Sequence, residues 1–282
     1  MNATLLTLAL ALSPGADPYP NPDILVEADA LKSVDPKTTV ILDARDAKAY
    51  AAGHVPGAVP LPLADFAKAV PDTPEAWADK LGKLGVKADT PVVVYAAADV
   101  REGARAWWLL KYAGADKVRL LNGGYPAWEK AGGKAETTAN EPKPVAFGKP
   151  AKTDRLAEKE NLLSILKDKS HQILDARSND EYCGAAGKAT RLGHIPGAIQ
   201  LEWSELLTAD KKFKSPDELK KLIADRKINL DQPAVTYCQG GGRAAVLAFG
   251  LELMGAKSVK NYYKSWGEWG NATDTPVEVP KK

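Results

Sequence analysis

Short apolar runs rich in β-branched residues alternate along the chain with longer amphipathic segments. The runs at 40–42 and 92–94 contain only Val, Ile and Leu, which is typical of buried parallel strands. Apolar positions at helical spacing over 101–113 and 244–254 predict two long helices. Each half of the chain follows the pattern strand, helix, helix, strand, helix, strand, helix. This alternation predicts an α/β fold in which a parallel sheet is flanked by helices on both faces, with ligands bound where strand C-termini meet helix N-termini.

Several motifs occur twice and in the same order, which indicates a duplicated domain. The second copy follows the first after about 130–140 residues, a period too long for a solenoid repeat. The paired segments are 41–45 with 173–177, 53–58 with 193–198, 92–95 with 234–237, 114–118 with 255–259, and 125–128 with 265–269. The chain is therefore predicted to hold two copies of one domain.

The segment between the two copies is rich in Pro, Lys, Thr and Ala and shows no helical period, as expected of a linker. We place a first domain at 21–134, a linker at 135–154 and a second domain at 155–282. Two domains of this size are ordinary for a chain of 282 residues.

The first 20 residues are set apart as a leader. Residues 5–12 form an apolar run that is followed by small residues, as in a secretory signal, although no Lys or Arg precedes it. The run is too short to cross a bilayer as a helix. It predicts a cleaved export signal and a periplasmic or secreted protein; the alternative is a disordered leader on a cytoplasmic protein.

Composition narrows the classes of partner. The chain is 45% hydrophobic and 26% charged with a formal net charge of +2, which gives no reason to expect nucleic acid or a stable membrane association. Two cysteines and three histidines make neither a disulfide scaffold nor a Cys/His metal cluster, so no metal site is predicted. We expect a monomer that acts on small molecules.

The duplication works as an internal control, because features present in both halves serve the fold. His54 and His194 occupy the same Gly-His-x-Pro-Gly-Ala turn, so both are predicted to stabilise that turn by a hydrogen bond rather than to act as catalytic bases. Asp43 and Asp175 each end a strand and are predicted to bond backbone groups or a neighbouring Arg.

The two halves differ after their shared Tyr. The first half has Ala96 at a position where the second half has Cys238, followed by Gln239, Gly240, Gly241, Gly242 and Arg243. Three glycines between a strand and a helix allow positive φ and let backbone N–H groups converge as an anion-binding nest. The nest and the helix dipole favour a reactive thiolate, and the Arg at the end of the loop can orient it or hold an anionic oxygen.

With these motifs, the chain from about 21 to 280 resembles the tandem-domain rhodanese family, which includes thiosulfate and 3-mercaptopyruvate sulfurtransferases. The resemblance rests on the Asp-Ala-Arg strand end, the Gly-His-Ile-Pro-Gly-Ala turn, the six-residue loop from Cys238 to Arg243 and the Ser-Trp-x-Glu-Trp segment at 265–269. It implies an inactive first domain and a catalytic second domain. Cys238 would take sulfur from a donor as a persulfide and pass it to cyanide or a thiol, without a metal or organic cofactor.

Some positions depart from the family pattern and leave the donor open between thiosulfate and 3-mercaptopyruvate. Gln239 and Gly240 stand where the family often has Arg or Lys. Glu181 and Cys183 stand where a donor-binding Arg is expected. Arg191, two residues before the Gly-His turn, is a candidate for that role, and Lys264 is a candidate for restoring positive charge near the pocket.

Other functions fit the same residues less well. The loop has four residues between Cys238 and Arg243, one fewer than in Cys-dependent phosphatases of related fold, so its pocket suits one sulfur better than a phosphate. A non-enzymatic sulfur-carrier or redox-sensing module stays open as the alternative, as does a structural binding protein. Cys183 is either a thiol that resolves the persulfide or an inert side chain.

Overall fold

The computed structural model describes residues 18–68, 74–148 and 153–280, so most of the predicted leader lies outside the described residues. The strands are β1 (Leu25–Val26), β2 (Val40–Asp43), β3 (Val59–Pro60), β4 (Val92–Tyr95) and β5 (Val118–Leu121) in the first half, and β6 (Leu156–Ala157), β7 (Gln172–Asp175), β8 (Ile199–Gln200), β9 (Ala234–Tyr237) and β10 (Val259–Tyr262) in the second. No helix of the described residues is both long and apolar enough to cross a membrane.

Each half builds one five-stranded sheet, and all strand pairs are parallel. The strand order is β1-β5-β4-β2-β3 in the first sheet and β6-β10-β9-β7-β8 in the second. Asp43 pairs with Tyr95, and Asp175 pairs with Tyr237 at the same register. The identical order and register confirm the predicted α/β fold with two parallel sheets.

Helices cover both faces of each sheet. In the first half they are α1 (Ala28–Leu31), α2 (Ala47–Ala52), α3 (Leu63–Lys68), α4 (Pro74–Lys83), α5 (Val100–Tyr112) and α6 (Gly124–Lys130). In the second half they are α7 (Lys159–Asp168), α8 (Asn179–Tyr182), α9 (Pro216–Asp225), α10 (Gly242–Leu253) and α11 (Ser265–Trp269), with 3₁₀ turns at Pro22–Ile24, Thr153–Arg155 and Trp203–Leu206. The two long predicted helices are α5 and α10.

Alternate residues of the central strands serve two different cores. Val92 and Val94 of β4 belong to the largest buried cluster, whereas Val93 and Tyr95 face a smaller one on the opposite face of the sheet. This alternation follows from the two-residue period of a strand. A buried position on each face explains why β4 consists of apolar side chains with an aromatic end.

The largest core joins the two halves, because α5 of the first half packs against α10 of the second. The Trp107 ring meets the Phe249 ring edge-on at 4.8 Å between centroids. The Trp108 ring stacks on Tyr263 at 5.2 Å. The Asn122 side chain accepts a hydrogen bond of 2.9 Å from the Phe213 backbone N–H. The halves are therefore packed together as one hydrophobic unit, and the N-terminal end of α5 lies beside that of α10.

The described part of the predicted linker runs along the first half. His54 and Glu136 form an antiparallel bridge. Phe147 is buried, and its carbonyl accepts a hydrogen bond of 3.2 Å from Ala88. Residues 136–148 thus lie against the first sheet and its helices.

Candidate active site

His194 and Asp175, which both have counterparts in the first half, help to hold the Gly-His turn of the second half in place. One ring nitrogen of His194 lies 2.9 Å from the Tyr182 carbonyl, and His54 makes the same contact in the first half. Asp175 accepts three side-chain hydrogen bonds from Arg177, whose Nη2 also donates to the Gly193 carbonyl at 2.7 Å. These contacts confirm the structural interpretation of the paired His and Asp residues.

Cys238 follows β9 directly and is 1% exposed. Its backbone N–H and that of Gly241 donate to one oxygen, Ser265 Oγ, at 3.1 and 3.2 Å. The Ser265 hydroxyl donates in turn to the Tyr262 carbonyl at 2.7 Å. The Cys238 carbonyl accepts from Trp266 N–H at 3.0 Å. The start of α11 therefore holds both ends of the tight turn that carries the cysteine.

Ser265 adopts a left-handed backbone with φ of 56°, which is uncommon for a residue other than glycine. The equivalent residue of the first half is Gly124, with φ of 63°. The strained conformation is retained in the second half together with a buried hydroxyl that serves the Cys238 loop. From the sequence, Ser265 was recognised only as part of the motif at 265–269, and this positioning role was missed.

The three glycines of the loop have different roles. Gly241 has φ of 80°, and a Cβ there would lie 2.6 Å from the Tyr263 ring. A Cβ on Gly242 would lie 2.4 Å from Nη2 of Arg105. A Cβ on Gly240 would meet nothing within 4 Å. The glycines were expected to allow positive φ, and of the three only Gly241 adopts it; Gly242 instead makes room for a guanidinium group.

Arg243, on the first turn of α10, forms a two-bond ion pair with Glu181 of α8, with N–O distances of 2.5 and 2.8 Å. Burial alone would raise the pKa of the Glu181 carboxyl, but the hydrogen bonds and charge of Arg243, with hydrogen bonds from Ser178, lower it to about 2. Burial alone would lower the pKa of Arg243, whereas Glu181 and the neighbouring Cys238 thiol raise it. Glu181, which stands where the family pattern has a donor-binding Arg, thus holds the cationic side chain of Arg243 beside Cys238.

A cavity of about 240 Å³ opens beside the cysteine. Its lining residues are Arg101, Glu102, Arg105, Cys238, Gln239, Gly240, Gly242 and Arg243. The first three come from α5 of the first half, and no site role was predicted for them from the sequence. The cavity therefore lies between the two halves, at the C-terminal end of β9 where a ligand site was predicted.

Arg191 and Lys264 are not brought together with Cys238. The Arg191 guanidinium donates to the carbonyls of Thr275 at 2.6 Å and Trp269 at 2.8 Å, with one further short contact each to the Ala272 carbonyl and the Thr275 hydroxyl. Neither residue lines the cavity. The hydrogen bonds of Arg191 fasten the C-terminal segment, and the donor-binding role expected of it stays a prediction.

The Lys264 side chain turns towards α11, with its Nζ 3.1 Å from Glu268 Oε1. It is 50% exposed, as expected for a surface ion pair of one helical turn. The suggestion that Lys264 adds positive charge to the pocket has no support in this geometry.

Cys183 is a free, partly exposed cysteine at the end of α8. Its sulfur lies 3.6 Å from Asn179 Oδ1. Within the described ranges, no three His, Cys, Asp or Glu side chains are grouped so that they could hold a metal ion.

Comparison with known proteins identifies the family of this chain. The model of the rhodanese-like domain matches the chain twice, at residues 27–131 and 158–272. The chain belongs to the rhodanese family. The two matches correspond to the two sheets, so the predicted tandem arrangement of rhodanese-like domains is confirmed.

Relatives with similarity over most of the chain are named for sulfur transfer. The sulfur carrier protein TtuD of Thermus thermophilus is 34% identical over 92% of this chain and 98% of its own length. The thiosulfate sulfurtransferase of Corynebacterium glutamicum is 33% identical over 94% of each chain. The 3-mercaptopyruvate sulfurtransferase of Escherichia coli is 32% identical over 85% of this chain and 88% of its own. The rhodanese domains and these names support the predicted sulfurtransferase activity.

Among solved structures, the anaerobic ergothioneine biosynthesis enzyme of Chlorobium limicola is similar to this chain with a TM-score of 0.85 and 25% identity. The match covers 94% of this chain and 72% of the other. The fold of the rhodanese pair is therefore shared over nearly the whole length of the protein.

Proposed function

We propose that this rhodanese transfers sulfane sulfur from a small anionic donor, such as thiosulfate or 3-mercaptopyruvate, through a persulfide on Cys238 to cyanide or a thiol. The observation that carries the proposal is the cavity beside Cys238, lined by the glycine loop and by arginines of both halves. In the first half the equivalent position is Ala96, which is buried and has no thiol. The second domain would therefore hold the reacting sulfur.

With thiosulfate as donor, the Cys238 thiolate attacks the outer sulfur. A bond forms between the two sulfur atoms, the bond from the outer sulfur to the sulfonate breaks, and its electron pair leaves with sulfite. With 3-mercaptopyruvate, the carbon–sulfur bond breaks instead, and the carbon takes up a proton to give pyruvate. Cyanide then attacks the terminal sulfur of the persulfide, giving thiocyanate and the original thiolate.

The loop is suited to the negative charge that both steps place on sulfur. Arg243 stays protonated next to the thiol because Glu181 raises its pKa, and the two hydrogen bonds to Glu181 hold it in place without covering the cavity. The N-terminus of α10, a helix of 12 residues, adds its positive dipole end. A fixed cation and helix end in a small cavity stabilise an anionic sulfur without reorganisation, which is the basis of electrostatic catalysis.

The remaining expectations about the chain belong to the same proposal. The leader at 1–20 would direct export to the periplasm, the linker at 135–154 would separate domains at 21–134 and 155–282, and the protein would act as a monomer. A size-exclusion profile and the N-terminal sequence of the protein recovered from the periplasmic fraction test these points; an uncleaved protein in the cytosol would contradict export.

Thiocyanate formation from cyanide tests the enzyme directly, with thiosulfate and 3-mercaptopyruvate compared on the wild type and on Cys238→Ala. We expect turnover with at least one donor and its loss in the variant. Cys183→Ala is the matched control, because it removes the other thiol of the chain. Turnover that survives in Cys238→Ala would contradict the proposal.

A second candidate function is that of a sulfur carrier, which the name of the Thermus thermophilus relative favours. In that case Cys238 would accept sulfur from a donor but would pass it efficiently only to a protein thiol. A persulfide that forms fast and resists cyanide, with steady-state turnover near background, would favour the carrier over the enzyme.

A further inference from the structure

The first domain, which has no reactive cysteine, supplies one wall of the cavity around Cys238. Arg101, Glu102 and Arg105 lie on the first turns of α5 and face the loop of the second domain. Arg101 is also the first-domain counterpart of Arg243 in the duplicated sequence. The start of the helix that follows the inactive loop of one domain thus forms part of the wall of the other domain's site.

The arginines of this cavity differ in how their charge is used. Arg243 is paired with Glu181, and Arg101 is paired with Asp99 through three side-chain hydrogen bonds. Among the described residues, Arg105 has no carboxylate partner. Its Nη2 lies 3.5 Å from the Gly240 carbonyl, and its Nε is buried without an acceptor. Arg105 therefore places a cation without a carboxylate partner in the wall of the Cys238 cavity.

The loop is shaped around this side chain. A Cβ at residue 242 would lie 2.4 Å from Arg105 Nη2 and 3.0 Å from its Nε and Cζ, so glycine at this position lets the guanidinium lie against the loop backbone. A second buried atom of the lining, Gln239 Oε1, also has no hydrogen-bond partner. Unpaired polar atoms in a small cavity are typical of a site whose partner is a ligand or water.

We propose that Arg105 of the first domain binds the oxyanion of the sulfur donor and so directs the transferable sulfur towards Cys238 of the second domain. This inference rests on the proposed function. The guanidinium suits the sulfonate of thiosulfate and the carboxylate of 3-mercaptopyruvate alike, because it donates two parallel N–H groups to either. Glu102, on the same wall, repels anions and would restrict the donor to the side of the cavity next to Arg105.

The first test uses alkylation of Cys238 in the full-length protein and needs no turnover. Iodoacetate and iodoacetamide have similar size, but only iodoacetate is an anion. In the wild type, we expect iodoacetate to react faster relative to iodoacetamide than it does in Arg105→Gln. The ratio of the two rates should fall roughly tenfold in the variant, the effect of losing one charge-assisted hydrogen bond. Excess sulfate should slow iodoacetate in the wild type and have little effect in the variant.

The second test measures steady-state kinetics with each donor separately. Arg105→Gln should raise the KM of the donor roughly 10-fold or more, with a smaller change in kcat and an unchanged KM for cyanide. Arg101→Gln is the matched comparison, because it removes a cation of the same helix and cavity whose charge is already paired. Its effect on the donor KM should be clearly smaller. A KM raised for one donor alone would identify which oxyanion is bound.

The two tests separate failure of this inference from failure of the proposed function. If no donor turns over but the alkylation ratio falls in Arg105→Gln, the anion subsite stands and the sulfurtransferase proposal fails. If donors turn over and Arg105→Gln matches the wild type in alkylation ratio and donor KM, the inference is overturned. An unchanged melting temperature of Arg105→Gln shows that the fold is retained. If this variant melts early, Arg105→Lys replaces it, because lysine keeps the charge but loses the planar pair of donors. The inference then fails unless Arg105→Lys shows an intermediate alkylation ratio.

Discussion

The ion pair of Glu181 with Arg243 makes a quantitative prediction for stability. A carboxyl whose pKa is lowered from 4.5 to about 2 is stabilised in its charged form by about 3 kcal/mol, at about 1.4 kcal/mol for each tenfold change in proton affinity. The Glu181 side chain is 17% exposed, so solvent screening reduces the measurable value to about 2 kcal/mol. We expect Glu181→Gln to lower the free energy of unfolding at pH 7 by this amount, because it leaves Arg243 buried without its carboxylate.

The pH dependence follows from the direction of the pKa change. Because folding lowers the pKa of Glu181, its contribution is complete above the unfolded pKa of 4.5 and is lost as the pH falls towards about 2. The difference in unfolding free energy between wild type and Glu181→Gln should therefore shrink by roughly half at pH 3.5. Urea unfolding followed by tryptophan fluorescence at pH 7 and at pH 3.5 measures this difference in unfolding free energy.

Glu205→Gln is the control for this prediction. Glu205 forms a similar two-bond pair with Arg226, at 2.7 and 2.9 Å, but its side chain is 34% exposed. A pair this exposed is expected to contribute less than about 1 kcal/mol. Equal losses in the two variants, or a Glu181→Gln loss that grows on acidification, would refute the argument that burial makes the Arg243 pair the stronger one.

Three further predictions concern the loop and the second cysteine. Ser265→Ala and Ser265→Gly both remove the hydroxyl that accepts two loop N–H groups, so both should slow donor turnover about tenfold in the thiocyanate assay; wild-type activity in Ser265→Gly would show that only the backbone conformation matters. Gly241→Ala should lower the urea-unfolding free energy by about 2 kcal/mol because of its positive φ, whereas Gly240→Ala should cost less than about 1 kcal/mol; equal costs would contradict the assigned roles. Cys183→Ser should keep turnover within about twofold, and a tenfold loss would instead indicate a resolving thiol.

Much of the fold was predictable because the duplicated motifs lie on its buried strands and turns. The runs at 40–42 and 92–94 lie within β2 and β4, and the long amphipathic segments became α5 and α10. The short edge strands were missed in both halves. The edge strands β1, β3, β6 and β8 have two residues each, too few to show an alternation of polar and apolar positions.

The candidate site was predictable only as far as it is local in sequence. Cys238 and Arg243 share one loop, so their proximity follows from the sequence. The pairing of Arg243 with Glu181 and the approach of Arg105 to Gly242 join residues far apart in the chain, and they depend on how α8 and α5 pack. The sequence held a signal for Arg105, because this residue stands on the helix that follows the inactive loop. The direction of its side chain, however, depends on how the two halves pack together.

The position of Arg191 outside the cavity has a physical reason as well. An Arg close to the Gly-His turn can serve either the site or the chain end, and here the carbonyls of Trp269 and Thr275 provide buried acceptors. Sequence spacing cannot distinguish these two uses, because the C-terminal segment reaches this turn only in the folded protein.

The central claim is that Cys238 carries the sulfur, and trapping the persulfide tests it most directly. The full-length protein is treated with thiosulfate or 3-mercaptopyruvate, alkylated and digested, and the peptides of Cys238 and Cys183 are weighed separately by mass spectrometry. We expect one additional sulfur atom on Cys238, none on Cys183, and its removal by cyanide with an equal amount of thiocyanate formed. A Cys238 peptide that never gains sulfur from either donor, or sulfur found on Cys183 instead, would contradict the account.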